Sequence, residues 1–248
     1  MHFKSIIEYR LSFVLSIISQ LLFMFVEMFT VYSLFQKFSL LDVYNVNELL
    51  FGFSIVWLGF STSEFLLRGF DHFAGLIVNG KFDLLLIRPR NIYLQVIGFD
   101  IGMEKIGRVV VSLLLFIWCA CKVVKFSFTR IVLLLFVAFG SINIMGGLII
   151  MGATACFFTV QGLEFVNIFT NGTKQLGQYP MGIYKKVFRY IFTFIIPLTI
   201  INYYPLEYLT GRSNNLLFVF LPLISFIFLL LSCLIFNLGM RKYKSTGS

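Results

Sequence analysis

Residues able to do bond-making chemistry are few in this chain and poorly spaced for it. Both histidines, His2 and His72, stand outside the long apolar runs, so Ser–His hydrolysis, haem ligation and histidine metal binding within those runs lack their side chains. Cys119, Cys121, Cys156 and Cys233 all sit inside apolar runs without CxxC spacing, and read as small lipid- or core-facing groups. No HExxH occurs. The fragment Asn79-Gly80-Lys81-Phe82 lacks the first glycine and the hydroxyl residue that an ATP phosphate cradle requires. Neither a periodic arginine helix nor a carbonyl-rich filter motif is present. No catalytic, cofactor-binding or metal-binding residue is therefore expected on this chain. Three acids remain in or beside apolar runs: Glu27, Glu64 and Glu164. A lone charge at mid-bilayer costs about 2.5–3.5 kcal/mol, so it faces protein or water. Glu27, within Phe25-Val26-Glu27-Met28-Phe29, is the deepest; it lines a substrate route, bonds to a neighbouring helix or lies near the outer interface. Glu64 and Glu164 read as interfacial.

The elements that hold these residues follow from composition. Of 248 residues, 59% are hydrophobic and only 12% charged, against about 25% charged in soluble chains. The apolar residues come in blocks, which excludes an ordinary soluble domain. At about 20 apolar residues per crossing the chain holds about six helices, read as a single transmembrane domain over residues 1–248. The expected spans are about 11–35, 49–67, 109–124, 131–159, 190–202 and 216–238. The first is too long for a signal peptide. Before it, Phe3, Ile6 and Ile7 share one face of a short interfacial helix. Gly140, Gly147 and Thr154 recur every seven residues in the fourth span, a small face suited to close packing.

A net charge of +9 serves first as a topology signal, with no nucleic-acid partner implied. Fifteen of the twenty Lys and Arg residues fall at the two termini and in the 68–108 and 161–189 connectors, and five on the other side. That asymmetry places both termini and both connectors in the cytoplasm of a multi-pass protein of the cell membrane.

Two connectors carry more detail. Phe70, Phe73, Leu76 and Ile77 mark the apolar face of a short helix that Asn79-Gly80 terminates. Asp83 and Leu84–Leu86 follow, and then Pro89 fixes its own φ and restricts Arg88. The result is a stiff basic elbow; the alternative is a solvated loop on the membrane surface. Further on, Pro197 and Pro205 interrupt a short hydrophobic stretch that also holds Asn202 and Tyr204 and ends at Gly211. Irregular backbone at that depth must be covered by protein or line a cavity. This predicts a kinked fifth span and a short outer re-entrant element before the sixth.

These two blocks resemble the permeases of type-2 ATP-binding-cassette (ABC) transporters, in the branch of roughly 260 residues. Gly80, Asp83, Leu84–Leu86, Arg88 and Pro89 match one family pattern. Tyr179-Pro180, Ile183-Tyr184, Arg189, Thr193, Pro197 and Tyr204-Pro205 match the other. The resemblance implies an all-α polytopic fold of six transmembrane helices that forms the substrate pathway of an exporter as a dimer, with itself or with a related permease. A separate ABC ATPase, holding ATP and magnesium on its own chain, docks from the cytoplasm. The expected coupling residues are Phe70, Phe73, Ile77, Gly80, Asp83, Arg88 and Pro89, with the Phe70–Ile77 face laid into the ATPase. The expected gating residues at the outer turn are Pro197, Asn202, Tyr204, Pro205 and Gly211. The rival reading, a stand-alone secondary transporter or channel subunit, calls for a mid-membrane ion site and internal repeats; only Glu27 speaks for it, and no repeat is found.

Overall fold

In a bilayer each backbone N–H and C=O must find its partner inside the protein, and an apolar run does so as a helix. The computed structural model describes residues 10–37, 45–125, 127–159, 162–179 and 184–243, and no strand occurs among them. Helix α1 covers Arg10–Lys37 and α2 Val46–Leu66. Four short helices follow: α3 Arg68–Asp71, α4 Phe73–Val78, α5 Lys81–Ile87 and α6 Ile92–Phe99. A 3-10 turn at Met103–Lys105 leads into α7, Ile106–Val123, and then α8 spans Phe128–Ala155. Helix α9 is Gly162–Gly177, α10 Lys186–Phe194, α11 Leu198–Ile201 and α12 Tyr203–Leu209. Helix α13, Leu217–Phe220, passes through a 3-10 turn into α14, Ser225–Lys242.

Five of these helices are long and apolar enough to cross a membrane, and six if the bent pair Lys186–Phe194 and Leu198–Leu209 counts as one span. Helices α2 and α8 form the centre: in an apolar 18-residue stretch of each, 67% and 61% of the residues are buried, against 11–28% in the other long helices. Close approach at small residues sets the packing. A Cβ on Gly59 would stand 2.6 Å from the Ser141 carbonyl oxygen, so α2 and α8 touch backbone to side of backbone. Gly147 receives the Phe228 ring and the Ser232 hydroxyl, and Gly239 receives Thr154. The seven-residue small face of α8 is thus its seam with α14, and Gly140 extends that seam to Pro222 and Ile201. Helix α7 joins α2 through a 2.8 Å Ser61–Ser112 hydroxyl contact and the stacked Phe51 and Phe116 rings.

Two stretches take a more definite form here. The charged connector expected at 161–189 contains the 16-residue helix α9, whose Gly177 rests on Val56, midway along α2. The kink expected in the stretch 190–202 is present as two arms meeting at 85° around Pro197. The reason is that Pro197 lacks an N–H and cannot continue the α10 ladder. A bond between the Thr193 and Thr199 hydroxyls (2.8 Å) braces the bend, and the Thr199 hydroxyl donates to the Phe192 carbonyl. The segment Phe3–Tyr9 lies outside the described residues, as do residues 180–183 and the side chain of Glu164.

Candidate functional site

Helices α3–α6 build a platform at the α2 end that carries Leu66. Gly80 adopts φ 63°, a left-handed conformation that lets α4 stop and α5 restart within two residues. Asp83 sits in the first turn of α5, where its charge suits the helix dipole. Arg88 is extended ahead of Pro89, ending α5. The Asn91 side chain then caps α6 by accepting from the Tyr93 N–H at 2.9 Å. Gln95 Nε2 lies 3.1 Å from the Leu85 carbonyl and 3.0 Å from that of Arg90, strapping the basic elbow to its two flanking helices.

The apolar face of the platform points into the protein. Phe70, Phe73 and Ile77 are all buried, Phe73 completely. The Phe73 ring centroid is 5.0 Å from Phe82, 5.2 Å from Phe157 and 5.3 Å from Phe236. The Tyr93 hydroxyl reaches the Cys233 carbonyl at 2.8 Å, and burial pushes its pKa up to about 12. This corrects the expected docking face. Short helices at the membrane surface have their apolar side covered first by their own chain, here by the ends of α8 and α14. What the platform leaves outside is a broad groove of about 1000 Å³ lined by Leu85, Arg88, Pro89, Asn91, Leu94 and Phe99. Ile87 and Leu94, 79% and 70% exposed, stand beside the Arg88-Pro89-Arg90 elbow.

Behind the platform lie two layers of charge, the first partly exposed and the second buried. In the first, Glu64 on α2 meets Arg108 at 2.7 Å, Lys105 at 3.1 Å and Arg68 at 3.6 Å. Arg68 also pairs with Asp71 at 2.8 Å and Glu104 at 3.4 Å. The second is deeper. Lys174 Nζ is 3.1 Å from Glu27 Oε1, and Gln178 Nε2 donates to Glu27 Oε2 at 2.9 Å. The Lys174 side chain is 4% exposed, with its ammonium 4.3 Å from the Trp57 ring centroid and 5.0 Å from that of Phe60. The Arg108 guanidinium lies 5.8 Å from each of the same two rings. Trp57 and Phe60 therefore join the two layers, each ring offering a cation its π face. The helix-to-helix bond expected as one reading of Glu27 is present in this pair.

Sequence reasoning passed over Lys174. A signal was present: Thr170, Thr173, Lys174, Gly177 and Gln178 fall at helical spacing and are all buried. A polar stripe facing protein looks the same in sequence as one facing water.

At the far end of α2 the proline block closes the structure. Asn202, 1% exposed, donates to the Gly177 carbonyl at 2.8 Å, satisfying an acceptor freed at the end of α9. Pro205 is buried beside it, while Pro197 and Tyr204 line a cleft against α13 and α14. Gly211 has φ 79°, and the following Arg212 binds Glu48 at 2.7 Å at the start of α2. The predicted coupling residues and gating residues thus sit at opposite ends of α2.

A family model described as ABC-2 family transporter protein matches residues 21–247. The chain belongs to the ABC-2 transporter family. No curated protein and no solved structure matches it significantly. As an ABC-2 permease it is a multi-pass membrane component of an ABC transporter, a transport subunit and not itself a catalytic enzyme, with an ABC ATPase as its partner. The permease motifs take up structural positions: Gly80 and Pro89 set the ends of α5, and Pro197 sets the 85° bend.

Proposed function

We propose that this permease forms the substrate pathway of an exporter as a dimer, driven by a separate ATPase that binds the platform groove. The observation that carries this reading is the groove itself. It is basic and apolar at once, centred on a proline-stiffened elbow, and mounted on a rigid aromatic core. Exposed apolar residues flanked by cations fit a partner surface that has an apolar pocket and an acidic rim. Closure of the ATPase pair on ATP and its magnesium shifts the permease between states only where the ATPase binds those states unequally. A rigid platform is suited to that, because displacement at the elbow reaches α8 and α14 through packed rings.

The same reading makes α9 the fifth crossing helix and the α10–α12 pair an element that re-enters from the outer side. Support comes from the Gly177–Val56 contact, from Asn202 at the end of α9, and from the Arg212–Glu48 pair at the far end of α2. Lys185, Lys186 and Arg189 then belong to the outer side and Lys174 to the interior. Eleven basic residues remain with the platform and termini against eight outside, so the cytoplasmic platform keeps the excess.

The test is co-purification of the ATPase with charge-reversed Arg88→Glu/Arg90→Glu and with Ile87→Asp. Both should lose the ATPase while the permease stays inserted; Lys122→Gln, on α7, should retain it. Full retention by both elbow variants would overturn the assignment of the groove.

A further inference from the structure

The side of α9 turned away from α1 and α2 is polar and uncovered. Thr170, Thr173, Lys174, Gly177 and Gln178 are buried, and at the helical period they share one side. On the opposite side stand Asn171 and Gln175, both exposed, with Gly172 beside them. Among the described residues neither amide side chain has a hydrogen-bond partner. A Cβ added at Gly172 would meet nothing within 4 Å. The depth of this face follows from its neighbours. Lys174 reaches Trp57 and Gly177 rests on Val56, both near the middle of the 21 residues of α2. Gln175 is therefore at mid-depth of a crossing α9, and Asn171 lies about 6 Å along the axis from it. Hydrocarbon offers an amide no partner, so lipid tails do not cover such a face without a large cost.

We propose that this face is the seam between two copies of the chain, α9 against α9 across a two-fold axis, with Gln175 and Asn171 each bonding to the same residue of the second copy. The inference rests on the reading of α9 as a crossing helix in a dimer, and adds which surfaces meet. A two-fold interface sets a patch against itself, and an amide suits that arrangement because it carries both donors and an acceptor. A charged patch would repel its copy, but Lys174, the one charged residue between 170 and 178, is turned inward and paired with Glu27. Open space at Gly172 lets the two backbones approach, and small residues with interhelical amides are what hold helices together in lipid. The outer sides of α7 and α14 make no such demand. Leu114 and Ile227, 60% and 56% exposed, are apolar and suit lipid. A wide water-filled passage fits less well, since the polar side is narrow and Leu176, 37% exposed, flanks it.

The experiment co-expresses two differently tagged full-length copies in membranes, with Cys119, Cys121, Cys156 and Cys233 replaced by Ala, and oxidises them with copper phenanthroline. Gln175→Cys and Asn171→Cys should each give a disulfide-linked species carrying both tags, whereas Leu114→Cys and Ile227→Cys should give none. With the native cysteines in place, Gln175→Leu should weaken co-purification of the two tags about threefold to tenfold, the range of an interhelical amide bond in a membrane. Its abundance should not change, because the position is exposed and unpartnered within the chain. Gly172→Leu should lower the cross-linked yield of Gln175→Cys by keeping the backbones apart. Tagged copies that co-purify yet form no disulfide at either position put the seam elsewhere: the dimer stands and this inference falls. Tagged copies that do not co-purify remove the dimer, and the inference with it. Modification of Gln175→Cys by a membrane-impermeant maleimide, with no disulfide formed, assigns the face to a water-filled passage and overturns the proposal. A cross-linked product of unlike mass bearing a single tag assigns a different chain and does the same.

Discussion

Removing one partner of the Glu27–Lys174 pair gives the sharpest test of the interior. Lys174→Met leaves the Glu27 carboxylate, 16% exposed, with only the Gln178 amide. Breaking a buried ion pair from one side costs about 3–5 kcal/mol, because the surviving charge is stranded; the partial exposure of Glu27 places the expected cost near the lower end, about 3 kcal/mol. Glu27→Gln strands Lys174 instead, but Trp57 and Phe60 still present their faces to the ammonium, an attraction of about 2 kcal/mol when desolvated. Its cost should therefore be smaller, about 1–2 kcal/mol. The double variant Glu27→Gln/Lys174→Met removes both charges and should recover most of the loss, since a buried pair contributes little net stability over neutral replacements. Thermal unfolding in detergent is the assay, and about 3 kcal/mol corresponds to a fall of roughly 6–12 °C in Tm for a chain of this size. Parent-like melting of Lys174→Met would show that α1 and α9 are not tied through this pair. A double variant less stable than either single would refute the stranded-charge argument.

Phe73→Ala should act on folding before docking. It empties a site ringed by Phe82, Phe157 and Phe236 and should cost about 3–5 kcal/mol, read as lower membrane abundance and Tm together with any loss of transport. Normal abundance with lost ATPase binding would restore Phe73 to the docking surface. Gly59→Ala pushes a methyl to 2.6 Å from the Ser141 carbonyl oxygen and should destabilise by about 1–3 kcal/mol, whereas Gly75→Ala, with nothing within 4 Å of its Cβ, should leave Tm unchanged or raised. Equal melting of the two glycine variants would argue against a close α2–α8 crossing.

The helices were legible because lipid leaves the backbone few choices. The long apolar runs of α1, α2, α7, α8 and α14 match expected spans within a few residues at most ends. Local stops were legible as well, since Gly80 and Pro89 act through their own φ angles. Three features were not. Which side of α4 meets protein depends on where α8 and α14 end, and nothing within Phe70–Ile77 encodes that. The polar stripe of α9 shows the correct period and no sign, so in sequence Lys174 is one more connector charge, and only the fold sets Glu27 and Trp57 beside it. Pro197 announced a break in the chain, but the 85° angle comes from the Thr193–Thr199 brace and from the packing of α11 on α8. Each is a tertiary fact about covering a face, and one chain's pattern of apolar and polar residues does not contain it.

Helix α2 links these observations. Its 21 residues extend roughly 31 Å at 1.5 Å per residue, the thickness of a hydrocarbon core. Along that length it holds Glu48 against Arg212, Gly52 against Asn202, Val56 against Gly177, Trp57 under Lys174, and Glu64 against Arg108. Every one of those partners is on a different part of the chain from the platform, yet the platform follows directly from the α2 terminus at Leu66. On the proposed function, a shift of the elbow transmitted through Glu64 and Arg68 would act on the same rod that carries the Glu27–Lys174 and Glu48–Arg212 pairs. The contacts supply a continuous mechanical route; whether its ends are energetically coupled is a matter for paired substitutions at Glu64 and Glu48. Additive losses from that pair would mean that α2 is a common wall, and non-additive losses that it is the moving part.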